Sequence, residues 1–139
     1  MKITLNKIAK DTNTSLKKFL NKQGNSKLVP AIKYGLFPGG KKIRSKILID
    51  IGSLLSIDYK TLITIGAVVE CIHAYSLIHD DLPCMDDDKM RRGKPSTHVK
   101  FGESTAVLAG NSLQTMACEI LASPNLKIKE KTKINLIKK

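Results

Sequence analysis

The sequence predicts an all-α fold. Apolar residues recur at intervals of three and four over most of the 139 residues, which is the spacing of one helix face. No segment alternates apolar and polar residues as a strand would, and no internal repeat is evident. Short runs rich in glycine, proline, serine or asparagine separate the periodic segments, as loops between helices do. We expect one helical domain over residues 1–139, since the chain is too short for two.

The first two predicted helices lie in the lysine-rich amino-terminal part. The first is amphipathic, and its apolar positions are Leu5, Ile8, Leu16, Phe19 and Leu20. Core packing is the expected role of that face; contact of its lysine face with a membrane is the alternative. After a break at Gly24-Asn25-Ser26, a shorter helix carries Val29, Ile32 and Leu36, with Pro30 tolerated in its first turn.

A third helix is predicted after the stretch Gly39-Gly40-Lys41-Lys42-Ile43-Arg44. Its apolar positions are Ile43, Ile47, Ile51 and Leu54. Glycines let a backbone approach a ligand closely, and a helix amino terminus favours an anion. Lys41 and Arg44 are three apart and would point the same way. The alternative is an ordinary turn beside a solvated helix face.

The longest predicted helix runs from Tyr59 to about His79, with Asp58 as its amino-terminal cap. Its apolar stripe consists of Leu62, Ile65, Val69 and Ile72. His73, Ser76 and Asp80 share one face over two turns, so an imidazole and a carboxylate would face the same cavity. The alternative for His73 is a satisfied histidine of the core.

An acidic cluster follows this helix directly. Five of the eight aspartates lie between Asp80 and Asp88, and Arg91 and Arg92 follow within four residues. Mg²⁺ takes one or two protein carboxylates together with substrate phosphates, and guanidinium groups bind phosphate oxygens bidentately. Because the cluster ends a buried element, it predicts a site for Mg²⁺ and phosphate rather than a solvated loop. Zinc is disfavoured because no paired cysteine or histidine spacing is present.

The remaining chain is predicted to hold a loop and two helices. Pro83 ends helical geometry, and Lys89 to Pro95 is a polar loop. The apolar face of a helix from Ser104 to Leu121 consists of Leu113, Met116, Ala117, Ile120 and Leu121. A final lysine-rich helix from Lys129 carries Ile134, Leu136 and Ile137.

Charge and composition exclude some function classes. The formal net charge of +12 comes from the two ends, about +11 over residues 1–46 and +5 over residues 123–139, against −4 between them. Lysine outnumbers arginine 21 to 3 and aromatics are 4% of residues, which disfavours a nucleic-acid partner. Three cysteines without a paired motif suggest the cytoplasm. The apolar run before Glu70 is too short to predict a membrane span.

The motifs resemble one known family. Glu70 to Pro83, followed by Met85 to Asp88 and Arg91-Arg92-Gly93, resembles the first aspartate-rich motif of the trans-isoprenyl diphosphate synthases. The stretch Gly39 to Arg44 and the segment Thr97 to Glu103 resemble that family's flanking segments in the right order. Within the family, the four residues between Asp81 and Asp86 make the chain most similar to the bacterial farnesyl diphosphate synthases.

The resemblance implies the amino-terminal half of an isoprenoid-synthase helical bundle. The family joins isopentenyl diphosphate to an allylic diphosphate, here dimethylallyl or geranyl diphosphate, with Mg²⁺ as cofactor. Matched position by position, it implies that Asp80 and Asp86 hold Mg²⁺, with Asp81 a lesser contributor, and that Arg91 binds the allylic diphosphate. For the diphosphate of isopentenyl diphosphate it implies Lys41, Arg44, His73 and Arg92. Tyr75, five residues before Asp80, would set product length near fifteen carbons; packing between helices is the alternative.

The sequence also departs from the family pattern. No aspartate follows Asp88, so the family's second aspartate-rich motif is missing from these 139 residues. Ser45 and Asn111 stand where the family has a proline and an aspartate. We therefore expect a truncated synthase that is inactive alone, that has unpartnered apolar faces, especially along Leu62 to Ile78, and that needs a complementing chain or an oligomer. A non-catalytic subunit of a complete synthase is the alternative, and a basic nucleic-acid binder is a weaker one.

Overall fold

The computed structural model describes residues 3–24, 26–37 and 40–138. Over these residues it has seven α-helices and one short hairpin, which confirms the predicted all-α class. Asn25 of the first predicted break and Gly39 of the glycine-rich stretch lie outside the described residues. In chain order the elements are α1 (Leu5–Leu20), α2 (Val29–Leu36), α3 (Ile43–Leu54), α4 (Tyr59–Asp80), β1 (Met90–Arg91), β2 (Lys94–Pro95), α5 (Thr97–Phe101), α6 (Glu103–Ala122) and α7 (Glu130–Ile137).

Helix α4 is the central helix of the bundle. It begins at the predicted cap, where the Asp58 carboxylate accepts a hydrogen bond from the Thr61 N–H at 2.9 Å. The expectation that Leu62 to Ile78 would lack partners is wrong for most of the helix, because α1, α3 and α6 cover it. Its buried residues are Leu62, Ile63, Gly66, Ala67, Val68, Glu70, Cys71, Ala74 and Ile78. By length and composition α4 could also cross a membrane, but half of that stretch is buried in the bundle, and core helices pass the same test.

Helix α3 forms where predicted, but its apolar stripe faces outward. Ile43, Ile47, Ile51 and Leu54, here called the α3 outward face, are between 53% and 85% exposed. The buried side carries Ser45, Ile49 and Gly52 instead. Gly52 is required there because a Cβ at this position would overlap the side chain of Leu62. Two residues of this face, Ile47 and Ile51, line an apolar groove together with residues of α4 such as Ile65 and Val69.

A hairpin occupies the segment predicted to be a polar loop. Strands β1 and β2 pair antiparallel, with Met90 opposite Pro95 and Arg91 opposite Lys94. The two residues between the strands, Arg92 and Gly93, both have positive φ, at 54° and 74°. That is the backbone of a type I′ turn, which matches the twist of the flanking strands. The Tyr34 hydroxyl donates to the Pro95 carbonyl oxygen at 2.7 Å and holds the hairpin against α2.

Helix α7 also exposes the apolar residues that predicted it. Ile134, Leu136 and Ile137 are between 37% and 52% exposed, whereas Lys133 is buried. The Lys133 ammonium donates to the Ser123 carbonyl oxygen at 3.1 Å and to the Glu130 carboxylate at 2.8 Å. The lysine stem thus packs on α6, and its charge is satisfied at the end of that helix.

Helices α4 and α6 pack closely where Gly110 faces His79. A Cβ on Gly110 would overlap the His79 imidazole, whose Nε2 lies 3.1 Å from the Val107 carbonyl oxygen. We expect Gly110→Val to lower the free energy of unfolding by roughly 2 kcal/mol through overpacking. Urea unfolding measures this. Gln114→Val places the same side chain on the exposed side of α6 as a control, and equal losses in the two variants would contradict the expectation.

Candidate functional site

The acidic cluster forms a tight turn at the carboxyl end of α4. Asp80 is the last residue of the helix, and the Asp86 N–H donates to its carbonyl oxygen at 2.8 Å. The turn closes further because the Asp87 N–H donates to the Leu82 carbonyl oxygen at 3.0 Å. Asp86 is therefore folded back beside Asp80. Asp80 is half-buried and Asp86 is exposed, so both carboxylates can be reached from solvent.

Asp81 is oriented differently from its two acidic neighbours. Its carboxylate is buried and pairs with the Arg91 guanidinium, whose Nε donates to both carboxylate oxygens at 2.9 and 3.1 Å. Arg91 also reaches Asp88 at 3.2 Å. Hydrogen bonding to Asp81 is the main cause that raises the pKa of Arg91. The pair fixes the Arg91 side chain next to the acidic turn, and it occupies the carboxylate that sequence reasoning had assigned a lesser metal role.

The hairpin places the next arginine on the other side of the site. Arg92 sits at the turn of the hairpin, and its guanidinium lies against Gly40. A Cβ on Gly40 would be only 3.0 Å from the Arg92 Nη1, closer than most side-chain contacts. A glycine at this position thus allows the guanidinium to rest on the backbone before α3. Neighbouring arginines therefore serve two regions, Arg91 at the acidic turn and Arg92 at the loop that leads into α3.

The start of α3 lies against the middle of α4. The Arg44 Nη1 is 3.3 Å from the Nε2 of His73. Burial and then the Arg44 charge lower the pKa of His73, which Arg92 and Lys42 lower further and Glu70 raises. The ring is therefore neutral at pH 7, and its Nε2 can accept a hydrogen bond from Arg44. Lys41 is exposed in the loop just before the helix. These side chains form a cationic cluster that can bind an anion such as a diphosphate.

The lowered pKa of His73 makes stability depend on pH. In the unfolded chain His73 takes up its proton near its ordinary pKa of about 6.5, whereas the folded chain resists protonation. The stabilising contribution is therefore complete above about pH 6.5 and is lost as the pH falls through the lowered pKa. In urea unfolding, His73→Gln should show a shallower loss of stability than the parent chain as the pH falls below about 6.5. Equal slopes in the two chains would contradict this.

Tyr75 lies on α4 between the cationic cluster and the acidic turn. It is half-buried and packs against the main core. Its ring meets the His79 ring edge to face, with centroids 4.7 Å apart. His79 in turn contacts the backbone of α6 at Val107. The tyrosine ring therefore packs on a histidine of its own helix, and that histidine contacts α6.

Sequence reasoning missed a buried polar cluster beneath the cationic one. Lys42 and Glu70 are 6% and 4% exposed, and the Lys42 Nζ lies 3.3 Å from a Glu70 carboxylate oxygen. The fully buried Ser45 hydroxyl donates to the same carboxylate at 3.0 Å. The sequence does contain a signal for this cluster. Glu70 is the one charged residue between Lys60 and Asp80, and a carboxylate inside so apolar a segment needs a buried partner.

The comparisons with known proteins agree on one family. Residues 25–138 match the family model described as polyprenyl synthetase. Farnesyl diphosphate synthase of Escherichia coli is 44% identical over 131 residues, which cover 92% of this chain and 44% of that protein. Farnesyl diphosphate synthase of Buchnera aphidicola is 51% identical over 98 residues, covering 70% of this chain and 35% of that protein.

Solved structures show the same similarity. A geranyltransferase from Legionella pneumophila superposes with a TM-score of 0.90 at 36% identity, covering 96% of this chain and 48% of that one. An FPP/GFPP synthase from Zymomonas mobilis gives a TM-score of 0.84 at 34% identity, covering 99% of this chain and 52% of that one. The chain therefore spans about half or less of the length of these relatives.

Proposed function

The chain belongs to the polyprenyl synthetase family, and from this premise we propose that it forms part of a farnesyl diphosphate synthase-type prenyltransferase. The proposed reaction joins isopentenyl diphosphate to dimethylallyl or geranyl diphosphate and releases diphosphate. The 139 residues supply one side of the active site. These 139 residues contain no second aspartate-rich segment, so we propose that the complete active site also needs residues from outside this stretch.

The observation that carries this proposal is the placement of an acidic turn at the end of α4 and of a cationic cluster around His73, in the middle of the same helix. Asp80 ends α4, and His73 lies seven residues earlier on α4, about 10 Å away along the axis at 1.5 Å per residue. The hairpin places one arginine at each of these two regions. Arg91 binds Asp81 at the acidic turn, and Arg92 lies against Gly40 in the loop before α3. A surface that pairs carboxylates with guanidinium groups at this separation suits a metal-bound diphosphate beside a second diphosphate.

The carboxylates of the acidic turn fit Mg²⁺. Within the described residues no three histidine, cysteine, aspartate or glutamate side chains converge to hold a metal. Asp80 and Asp86 together offer two accessible carboxylates, and Mg²⁺ prefers one or two of these with phosphate and water in its remaining positions. When bound, Mg²⁺ would act as a Lewis acid on the diphosphate leaving group. The protein keeps Asp86 next to Asp80 through the hydrogen bond from the Asp86 N–H to the Asp80 carbonyl oxygen.

The cationic side chains divide between the two substrates. Arg91 has its Nε committed to Asp81 and its Nη2 to Asp81 and Asp88, which holds the guanidinium beside the acidic turn, where the allylic diphosphate would bind. Lys41, Arg44, His73 and Arg92 would bind the diphosphate of isopentenyl diphosphate. At neutral pH His73 contributes no charge and orients Arg44 by accepting its hydrogen bond.

The proposed function also includes a product length and a cellular location. Tyr75 would limit the product to about fifteen carbons, and its contact with His79 supports a fixed ring at this point of α4. A cytoplasmic location is supported by the thiols of Cys84 and Cys118, which are exposed and unpaired.

Metal removal tests the proposed function. In isothermal titration calorimetry, the 139-residue chain should bind geranyl diphosphate in the presence of Mg²⁺ and at least about tenfold more weakly after chelation with EDTA. Binding should return when Mg²⁺ is restored. A folded chain that binds geranyl diphosphate equally with and without the metal would contradict the proposed role of Asp80 and Asp86.

A non-catalytic subunit is the second candidate function. The α3 outward face favours it, because an apolar surface of this kind in a stable protein usually meets another polypeptide. Such a subunit would change the product of a complete synthase without needing its own carboxylates. Asp80→Asn would separate the two functions, since it should leave the effect of a non-catalytic subunit unchanged.

A further inference from the structure

Helix α3 begins without a cap of its own. Lys42 occupies the capping position with a left-handed backbone, φ 51°, and no side-chain hydrogen bond to the first turn. A lysine cannot accept a hydrogen bond, and the first N–H groups of a helix lack partners within the helix. Glu70 of α4 supplies the missing acceptor. Its Oε1 accepts the Ser45 hydroxyl at 3.0 Å and lies 3.4 Å from the Ser45 N–H.

The other Glu70 oxygen binds the capping residue itself. Glu70 Oε2 lies 3.3 Å from the Lys42 ammonium, which also donates to the Leu36 carbonyl oxygen at 3.2 Å. One carboxylate therefore connects the end of α2, the start of α3 and the middle of α4. Close packing tightens this junction, because a Cβ on Gly66 would be only 3.2 Å from the Ser45 hydroxyl.

A buried ion pair requires an explanation other than stability. Moving two charges out of water is costly, and well-packed apolar residues of similar volume often replace such a pair without loss. The position of Glu70 offers the explanation. Arg44 lies between Lys42 and Ser45, the two residues that Glu70 holds, and His73 is one turn after Glu70 on α4. The carboxylate thus fixes Arg44 relative to its partner His73.

We propose that Glu70 is a positioning residue for isopentenyl diphosphate: its buried carboxylate caps α3 from α4 and holds Arg44 beside His73. This inference rests on the proposed function, because it assigns a support to the isopentenyl diphosphate site. Glu70 itself is buried and does not touch the substrate. Its effect passes through Ser45 and Lys42 to the cationic cluster.

The test uses paired substitutions that remove the buried charges together. Lys42→Met with Glu70→Leu keeps the volume but removes the Glu70 acceptor from the Ser45 N–H and hydroxyl. It leaves the hydroxyl the Gly66 carbonyl oxygen at 3.1 Å. Lys42→Met with Glu70→Gln keeps an amide oxygen that can still accept from Ser45. Binding of isopentenyl diphosphate to the 139-residue chain is measured by calorimetry, and folding by urea unfolding. Lys133→Met removes a different buried lysine, on α7, as the matched control.

We expect the leucine variant to bind isopentenyl diphosphate about tenfold more weakly than the parent while its unfolding midpoint stays near that of the parent. The glutamine variant should recover to within about threefold of the parent affinity, and Lys133→Met should bind normally. A folded leucine variant with parent affinity would overturn the inference. If that variant does not fold, the binding of isopentenyl diphosphate is measured with Ser45→Ala instead. Binding about threefold weaker than that of the parent supports the inference, and unchanged binding overturns it.

The parent chain and an Arg44→Gln variant separate this inference from the proposed function. If the folded parent does not bind isopentenyl diphosphate, the proposed function fails and the inference fails with it. If the parent binds and Arg44→Gln weakens binding while the leucine variant does not, the inference alone is overturned.

Discussion

Replacing Asp80 with asparagine should lower the rate of prenyl transfer by about 100- to 1,000-fold, the usual cost of removing one group that stabilises transition-state charge. Asparagine keeps the shape of the side chain and the backbone hydrogen bond from the Asp86 N–H. It removes one of the two carboxylates proposed to hold Mg²⁺. The rate is measured with radiolabelled isopentenyl diphosphate and geranyl diphosphate in the presence of Mg²⁺. For this assay the chain is paired with the carboxyl-terminal part of one of its relatives.

Asp87→Asn is the matched control for Asp80→Asn. It removes the same charge from the same turn, but the Asp87 carboxylate is exposed and pairs with Lys89 at 2.7 Å. Asparagine also tolerates the left-handed backbone of this position, φ 53°. We expect this variant to keep its rate within about threefold, because surface ion pairs contribute little. Equal losses in the two variants would mean that only the overall charge of the turn matters.

Replacing Arg44 with glutamine should weaken the binding of isopentenyl diphosphate by about 10- to 100-fold. Charge-assisted hydrogen bonds contribute about 1.5–3 kcal/mol, and each 1.4 kcal/mol is a factor of ten in affinity. Arg44 is exposed at the start of α3, with His73 accepting from one of its nitrogens and the rest able to reach an anion. Calorimetric titration of the 139-residue chain measures the affinity.

Lys46→Gln controls for the loss of a positive charge from α3. Lys46 lies two residues further along the helix and pairs with Asp50, one turn away. We expect its affinity for isopentenyl diphosphate to stay near that of the parent chain, because its charge is directed toward Asp50. If Lys46→Gln weakened binding as much as Arg44→Gln, the site would be a diffuse positive surface and not a specific cluster around His73.

Local signals in the sequence were enough to predict six of the seven helices in the described residues and the acidic cluster after α4, whereas the short helix α5 was not predicted. The Asp58 cap, the proline in the first turn of α2 and the apolar spacing of α6 each act within a few residues. The shared face of His73 and Asp80 likewise follows from helical geometry alone. These features depend on near neighbours in the chain, so their consequences could be read before the structure was known.

Features that depend on distant contacts could not be predicted in this way. The apolar spacing of α3 did not show which side of the helix would be buried: Gly52 and Ser45 on the opposite side allow α4 to approach, which turns the isoleucines outward. The Arg92-Gly93 turn was missed because arginine seldom adopts positive φ. The pairing of Asp81 with Arg91 and that of Glu70 with Lys42 join separate elements, and a single sequence does not specify such partners.

A complementation assay tests whether these residues supply one side of a prenyltransferase active site. The purified chain is assayed alone, and then together with the carboxyl-terminal part of a relative that carries the second aspartate-rich motif. Mg²⁺, labelled isopentenyl diphosphate and geranyl diphosphate are present in both assays. We expect no product from the chain alone and farnesyl diphosphate from the pair, and Asp80→Asn should abolish that product. A folded pair that assembles yet forms no product would contradict the claim that these residues supply one side of a prenyltransferase active site.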